Sequence, residues 1–550
     1  MYVSIVFNTE YMNVGSRIRW FLKSAFLSMR DDCLVITHEY MKNHLEQLVQ
    51  DCGNTVYADY DIPEITPDDV KKLDICYIPD ALFDAISARE GTQTGQLLYL
   101  YNTRDRTIEE TIIKAIKRKL AEKKEKLDFI LNSLHVFASV KYISDYFGVP
   151  LIPYVFSCVR KAHGYNQTLY MAHCDSSLFF SKVAESLYCR YNADSMPYPI
   201  LDKMEVLALL GKYKNLHLIP LVQSEGVFEM GIVGECFKIT PQLYQNESIT
   251  DDDLYFEAEK FYKRDMIITR LHPTQMDQSG ITRKHMKNDP ISFVLCSKRI
   301  ATVQSQMIMK GVMWNRVPCV LGNALPYAFL FSKDFQSRKP LSDSDLNFIL
   351  FVYFIPDCCM FNPDYWKWRL TDPSPSEIFR KHLDAIIDQV GYTKGLLEKK
   401  SSRLERILQC RNLDKNEIAK ICSCPCFRNV NYDFLSSRIR ATYYDETYKD
   451  YYCLNSYEKG ELSSCFFIQR GEEVTRIQIF LFDDVDGFAK IKSLYYGDSL
   501  IEVSPQEDYW PKNSSVVSFD VSGIDNNSQD AVIVKVIWEA EKFEEKFIKK

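Results

Sequence analysis

The sequence has few of the features that mark secreted, membrane-spanning or nucleic-acid-binding proteins. No window approaches the roughly 18 apolar residues that a bilayer span needs, and the longest candidate, 346–355, ends at Pro356. The N-terminus lacks the basic start and apolar centre of a signal peptide. With a formal net charge of -7, the chain has no basic excess, so we expect no nucleic-acid partner. These absences predict a cytoplasmic protein, with peripheral association at the inner face of the membrane as the alternative.

The sequence also has few patterns of residues that could bind a metal ion. The 17 cysteines are scattered and lack the even framework of a small secreted domain, which favours reduced thiols. A CxCxC pattern at 422–426 has no fourth ligand nearby, so we do not interpret it as a zinc site. Two Asp-x-Asp pairs, at 59–61 and 484–486, follow strand-like runs and are interpreted as turns rather than as cation sites. We therefore expect no bound metal and no cofactor.

Short β-rich runs alternate with amphipathic segments over the first 210 residues. No GxGxxG follows the first run, so the dinucleotide fingerprint is absent. The alternation is nevertheless typical of a parallel sheet, whose strands need crossover connections. The predicted strands are 3–7, 33–37, 55–58, 74–78, 129–132, 151–156 and 176–180. We predict an N-terminal Rossmann-like domain, 1–210, that holds the reaction partner of a ligand bound by a second such unit.

The same pattern restarts near residue 211. A strand-like run, 216–222, ends in the polar Gln223, and a second Rossmann-like domain is predicted over 211–340. The sequence pattern then predicts a helical segment over 341–430. From 431 to 550, short strand-like runs separated by Gly, Asp and Asn turns predict an antiparallel β-sandwich. At 550 residues, division into several domains is expected.

Polar side chains follow the strands of the second unit, where each strand ends. The run 266–269 leads into Arg270 and His272-Pro273, and the run 300–303 leads into Ser305. Strand ends of open α/β sheets line the ligand crevice. A cation, an imidazole and a hydroxyl at this edge indicate a bound anion, most simply a phosphate.

Each of these side chains also has a structural interpretation. An isolated His272 before proline is more often a partly buried histidine, and Ser305 is expected at the start of a helix as its N-cap. We favour the ligand role because Arg270, Ser305 and Gly322 occur in the same unit. The two roles of Ser305 are compatible, since one hydroxyl can cap a helix and contact a phosphate.

The order of several motifs gives a more specific indication. It comprises 219–223, Arg270 to Pro273, Thr302 to Ser305, Val317 to Gly322, and Tyr327. This order resembles the capsular polysaccharide biosynthesis glycosyltransferases, GT-B proteins that include bacterial Kdo transferases, and the resemblance covers about 211–385. It implies a nucleotide-sugar donor, with a CMP-sugar as one option, and a growing surface glycan as acceptor.

The resemblance also implies roles for particular residues. The nucleotide would be bound by Gln223, Arg270, His272, Pro273, Ser305, Gln306 and Gly322, and His272 would also be catalytic. The family usually carries a Gly and a Glu in the helix after the serine, whereas this chain reads Gln306 to Gly311 without an acid. Polyol-phosphate transferases of related GT-B fold share the His-Pro motif and remain an alternative. So does a non-catalytic glycan-binding or scaffold protein.

The catalytic acid or base is expected in a strand-end loop of the first domain. The candidates are Glu10, His38, Glu39, Asp80 and His163. Glu10 is preferred because it follows the first strand and precedes Gly15. A dense basic run, 114–126, is interpreted as a solvated helix face, with a patch for anionic lipid or a polyanionic glycan as the alternative.

Overall fold

The computed structural model describes most of the α/β part of the chain and most of the C-terminal strands. The described residues are 1–7, 33–42, 74–91, 93–133, 136–157, 159, 169–172, 181–210, 222, 226, 228–234, 249–270, 290–323, 325–389, 436–454, 456–458, 461–469, 473–480, 490–503, 516–524 and 531–539.

The first sheet has seven described strands. They are β1 Tyr2–Val6, β2 Cys33–His38, β3 Ile75–Ile78, β4 Ile130–Ser133, β5 Leu151–Phe156, β6 Leu169–Ala172 and β11 Phe354–Pro356. Their order is β11-β6-β5-β4-β1-β2-β3. The strands β1 to β5 are parallel, as predicted, whereas β6 pairs antiparallel with β5 and β11 antiparallel with β6.

Helices cover one face of this sheet. They are α1 Asp80–Glu90, α2 Gln93–Asn102, α3 Arg106–Lys123 and α4 Ala138–Phe147. Val3 and Ile5 of β1 pack with Ile112 and Ile116 of α3, because strand side chains alternate between faces and helical ones recur every turn. Asp105 caps α3 by accepting hydrogen bonds from the N–H groups of the first turn.

The second sheet contains four described strands, all parallel. They are β7 Phe228–Val233, β8 Ile267–Arg270, β9 Ser297–Thr302 and β10 Val317–Val320, in the order β10-β9-β7-β8. The helices of this region are α5 Ser181–Ala193, α6 Lys203–Leu210, α7 Asp251–Glu259, α8 Pro290–Cys296 and α9 Ile308–Met313, with 3₁₀ turns at Arg264–Met266 and Ala328–Leu330. The runs near 267, 300 and 318 were predicted as strands, but the central strand β7 was not.

After the second sheet the chain returns to the first. The elements are α10 Asp343–Asn347, a π-helix Phe348–Tyr353, strand β11, α11 Asp357–Met360, α12 Pro363–Arg369 and α13 Pro375–Gln389. Met360 and Trp366 are fully buried against Phe129 and Ile152 of the first sheet. The predicted helical segment thus supplies an edge strand and a packing layer to the first unit. The predicted domain limits remain a prediction.

The described C-terminal strands form two antiparallel sheets, as predicted. They are β12 Ser436–Tyr443, β13 Tyr448–Leu454, β14 Ser456–Glu458, β15 Glu461–Gln469, β16 Val474–Phe480, β17 Lys490–Tyr496, β18 Ser499–Ile501, β19 Val516–Asp520 and β20 Ala531–Glu539. Their orders are β13-β12-β16-β19 and β14-β15-β20-β17-β18. Alternate residues of both sheets, such as Ile439 and Val534, are fully buried in one apolar cluster.

Candidate functional site

The carboxyl ends of the second sheet meet at one edge, which we call the second-sheet edge. Val233 of β7 pairs with Arg270, and Val320 of β10 pairs with Thr302. Adjacent strands lie about 4.8 Å apart, so the ends of β8 and β9, separated by β7, are roughly 10 Å apart. This separation is within the length of a ligand the size of a nucleotide.

Thr302 shapes the turn at the end of β9. Its buried hydroxyl donates to the carbonyl oxygen of Val233 at 3.3 Å and accepts from the N–H of Ser305 at 2.9 Å. Thr302 therefore joins the turn to the neighbouring strand β7, and it also closes the turn through its hydrogen bond with Ser305. This hydrogen bond holds the backbone of Ser305 at the second-sheet edge.

The prediction that Ser305 is a helix N-cap is wrong. The helix α9 begins at Ile308, and its N-cap, Met307, makes no side-chain capping hydrogen bond. The Ser305 hydroxyl instead accepts from the N–H of Met307 at 3.4 Å, which closes a local turn just before the helix and satisfies a donor that has no acceptor within the helix. An anion here would be held by side chains around the turn rather than by the end of a long helix.

Two polar side chains of this turn, those of Ser305 and Gln306, can form further hydrogen bonds. Ser305 and Gln306 are half-buried; the Ser305 hydroxyl can still donate, and the amide of Gln306 has no hydrogen bond to another residue within the described ranges. Arg270, also half-buried, lies across the edge and brings a positive charge. A guanidinium, a hydroxyl and an amide around one strand edge can bind an anion.

Gly322 was predicted to bind the nucleotide, and in the structure its backbone belongs to the pairing of two strands. Its N–H donates to the carbonyl oxygen of Val303 at 3.1 Å, which extends the pairing of β10 with β9. The backbone donor is therefore occupied. Gly322 is buried beside the turn, and it can assist a ligand there by its lack of a side chain.

Sequence reasoning missed Gly234 and the role of Thr302. The N–H of Gly234 donates to the carbonyl oxygen of Arg270 at 2.8 Å and so holds the ends of β7 and β8 together. The available signal was a short run from Phe228 to Val233 that is apolar except at Glu229 and is followed at once by glycine. This is the same strand-then-polar-loop pattern that identified the other strands.

An ion-pair cluster fastens the opposite end of this sheet. Glu229 lies 2.7 Å from Lys298 Nζ and 2.8 Å from Arg299 Nη1, and Arg299 also donates to the Ser337 carbonyl at 2.9 Å. Burial raises the pKa of Glu229, but the hydrogen bonds and charges of Lys298 and Arg299 outweigh it and hold the pKa below its ordinary value. This carboxylate ties β7 to β9 and belongs to the framework.

The first sheet carries a second polar pair at its own carboxyl edge. His38 ends β2, and Asp80 opens the helix after β3; His38 Nδ1 and Asp80 Oδ1 are 3.8 Å apart. Phe7 and Phe83 pack around the imidazole, with ring centroids at 5.3 and 4.3 Å. Two of the predicted acid or base candidates are thus brought together, and a carboxylate beside an imidazole suits general acid–base chemistry.

Other predicted site residues lie outside the described residues. They are Glu10, His163, Gln223, His272 and Pro273, together with the patterns at 59–61, 422–426 and 484–486. Within the described ranges, no group of three or more His, Cys, Asp or Glu side chains is placed to hold a metal ion. Among the same residues, no helix has the length and apolar character needed to cross a bilayer.

Comparison by sequence gives no relatives: no protein-family model matches the chain, and no curated protein matches it. Comparison by structure gives distant neighbours. A Thermosulfurimonas dismutans KpsC, a beta Kdo 2,4 transferase, is 14% identical, with 40% of this chain and 78% of that chain covered and a TM-score of 0.29.

Two further neighbours are similarly distant. A Methanocaldococcus jannaschii UDP-GlcNAc 2-epimerase in complex with UDP-GlcNAc and UDP is 12% identical, covering 64% of this chain and 98% of that chain, with a TM-score of 0.27. The glycosyltransferase SnogD from Streptomyces nogalater is 9% identical, covering 70% and 99%, with a TM-score of 0.24. At these values the likeness establishes no shared activity.

Proposed function

We propose that the chain is a glycosyltransferase of GT-B type that binds a nucleotide sugar, with a CMP-sugar as the first candidate, at the second-sheet edge. The observation that carries this proposal is the convergence of Arg270, Ser305 and Gln306 on that edge. His272 is two residues beyond Arg270, within about 7 Å along an extended chain. The motif order that resembles the capsular polysaccharide glycosyltransferases supports the same assignment.

The chemistry required of these groups is electrostatic. As the sugar leaves, negative charge develops on the nucleotide phosphate. The Arg270 guanidinium and an N–H of His272 stabilise that charge, and the Ser305 hydroxyl donates to a phosphate oxygen. Because proline disfavours the helical conformation of the residue before it, we expect an extended backbone at His272.

The first α/β unit would hold the glycan acceptor and supply the base. Glu10, which follows β1, is the candidate from sequence, and His38 beside Asp80 is the candidate that geometry favours. His38 is the last residue of β2, at the carboxyl edge of the first sheet. A carboxylate next to His38 would stabilise the imidazolium that forms when it removes the acceptor proton.

Nucleotide binding tests the proposal directly. In thermal-shift assays with CMP, UDP and GDP, we expect one nucleotide to raise the melting temperature of the full chain, and His272→Ala to abolish that rise. Thr302→Val should weaken binding about tenfold, because the turn loses the hydroxyl that holds Ser305; the matched control Thr302→Ser keeps it. Absence of stabilisation by every nucleotide would refute the assignment.

The two alternatives predict different outcomes. A polyol-phosphate transferase would bind a cytidine nucleotide but transfer phosphate-linked polyol rather than sugar, which mass spectrometry of the product distinguishes. A non-catalytic glycan-binding protein would bind glycan without stabilisation by a nucleotide.

A further inference from the structure

A groove between α3 and α4 is a separate feature from the second-sheet edge. It has a volume of about 600 Å³, and we call it the α3–α4 groove. Its lining is mostly charged and aromatic: Arg104, Arg106, Glu109, Glu110, Ile113, Lys114, Lys117, Tyr142 and Tyr146. It contains part of the basic run that the sequence marks out. A solvated helix face explains the exposure of these lysines, but it does not explain why they border a recess.

The cations of this groove exceed its available carboxylates. Arg104 is held by Glu109 through two hydrogen bonds, from Nε at 2.8 Å and from Nη2 at 2.9 Å, and Glu109 is buried. Arg106 and Lys114 are exposed, and within the described ranges neither has an ion-pair partner. One acidic lining residue, Glu110, is left to balance them, so the groove carries a positive excess.

Neighbouring cations on the same helix differ from these. Lys119 pairs with Asp74, and Arg118 pairs with Glu122 at 3.7 Å. These two cations outside the groove are therefore paired with carboxylates, whereas within the described ranges Arg106 and Lys114 in the groove are not. An anionic ligand entering it would meet cations that are not already neutralised, so it would not have to displace a carboxylate first.

Aromatic rings form the α4 side of the groove. Arg104 lies over the Tyr142 ring, with Cζ 3.3 Å from the centroid, and Lys117 lies near the Tyr146 ring, with Nζ 4.8 Å from its centroid. Tyr146 is 45% exposed although it is large and largely apolar. A ring that faces a recess beside cations offers a flat apolar platform together with charge, a combination that fits the face of a sugar ring bearing a carboxylate.

One end of the groove, at Arg104 and Arg106, lies at the carboxyl edge of the first sheet. The helix α3 starts there, and the N–H of Asp105 donates to the Ser139 hydroxyl at 2.7 Å, which joins the start of α3 to the start of α4. The helix α4 follows β4, which ends at Ser133. The His38–Asp80 pair lies at the same edge, at the end of β2 and the start of α1. A chain bound in the groove thus extends towards this edge.

We propose that the α3–α4 groove binds a carboxylated oligosaccharide. Arg106 and Lys114 pair with its carboxylates, and Tyr146 stacks on a sugar ring. A lipid surface fits less well because the cations line a recess, and Tyr146 is alone among the exposed large apolar side chains of the described residues in lining it. The site is independent of nucleotide binding at the second-sheet edge.

Calorimetry on the full chain tests this site with three probes: a short oligogalacturonate, a neutral malto-oligosaccharide of equal length, and phosphatidylglycerol vesicles. We expect the oligogalacturonate alone to bind, with an affinity that falls as salt is added. The double variant Arg106→Gln and Lys114→Gln should weaken binding at least tenfold, and Tyr146→Ala about threefold to tenfold.

Arg118→Gln is the matched control, because Arg118 lies on the same helix but outside the groove and should leave binding unchanged. His272→Ala should also bind oligogalacturonate normally, so a failure of the nucleotide proposal is distinguishable from a failure of this one. The proposal is overturned if the double variant binds as tightly as the unaltered chain, if the neutral sugar binds equally well, or if vesicles bind while oligogalacturonate does not.

Discussion

At the scale of single residues, His382 is the clearest example of a side chain governed by burial. It is fully buried in α13, with Nε2 2.7 Å from the Tyr365 hydroxyl oxygen. Burial, reinforced by the positive charge of Arg369, lowers the pKa of His382 to about 3. The imidazole of His382 is therefore neutral in the folded protein at ordinary pH.

The pKa difference predicts acid sensitivity. In the unfolded chain His382 has a pKa near 6.5, so between that value and about 3 the unfolded state binds a proton that the folded state does not. This contribution to stability is complete above pH 6.5 and is lost as the pH falls, by up to about 1.4 kcal/mol per pH unit. In urea unfolding at pH 7.5 and 5.5, we expect His382→Gln to show a smaller decrease than the unaltered chain. Equal decreases would contradict the assignment.

At the scale of elements, β7 is fixed by a close approach that requires glycine. A Cβ on Gly231 would lie 2.4 Å from Ser297 Oγ and 2.9 Å from Phe293 Cζ, so α8 and the start of β9 lie directly against the strand. We expect Gly231→Ala to reduce the free energy of unfolding by about 1–3 kcal/mol through overpacking. In the control, Gly523→Ala, the added Cβ meets nothing within 4 Å, and the change should stay within about 0.5 kcal/mol. Equal urea midpoints for the two variants would contradict this prediction, because they would mean that α8 moves aside without a loss of stability.

The elements also show what could be predicted from sequence. The apolar runs near 3, 130, 300 and 318 became strands, because an apolar run bounded by polar loops has few other ways to be buried. The strand β7 was missed because Glu229 interrupts its pattern, and its partners Lys298 and Arg299 are distant in sequence.

The candidate site likewise combines features that follow from the sequence with features that do not. That Arg270 and Ser305 lie at one edge follows from parallel strands, whose carboxyl ends share a side of the sheet. The hydrogen bond from Thr302 to the Val233 carbonyl does not follow from sequence, because it depends on the register between β7 and β9. For the same reason, the pairing of His38 with Asp80 could not be deduced from the sequence, where Glu10 was preferred among the five candidates.

At the scale of the whole molecule, the two α/β units are connected by more than the chain between them. The strand β11 and the helices around it add to the first sheet, while α6, which follows Leu201, packs against α9 of the second unit. Asn347 joins these two stretches: its Oδ1 accepts from the N–H of Leu201 at 3.0 Å, and its Nδ2 donates to the Leu201 carbonyl at 2.7 Å. One buried amide therefore links the segment that returns to the first sheet with the segment that supports the second.

This link predicts a loss of stability when the amide is replaced. Asn347→Leu retains the approximate volume but leaves the N–H and carbonyl of Leu201 unpaired in the core, so we expect the free energy of unfolding to fall by about 2–5 kcal/mol. The control is Asn102→Leu, since Asn102 is exposed and makes one hydrogen bond, to the Leu98 carbonyl; its loss should stay within about 0.5 kcal/mol. Urea unfolding followed by circular dichroism should show a lower midpoint for Asn347→Leu alone. If both variants unfold at the same midpoint, Asn347 does not hold the two units together.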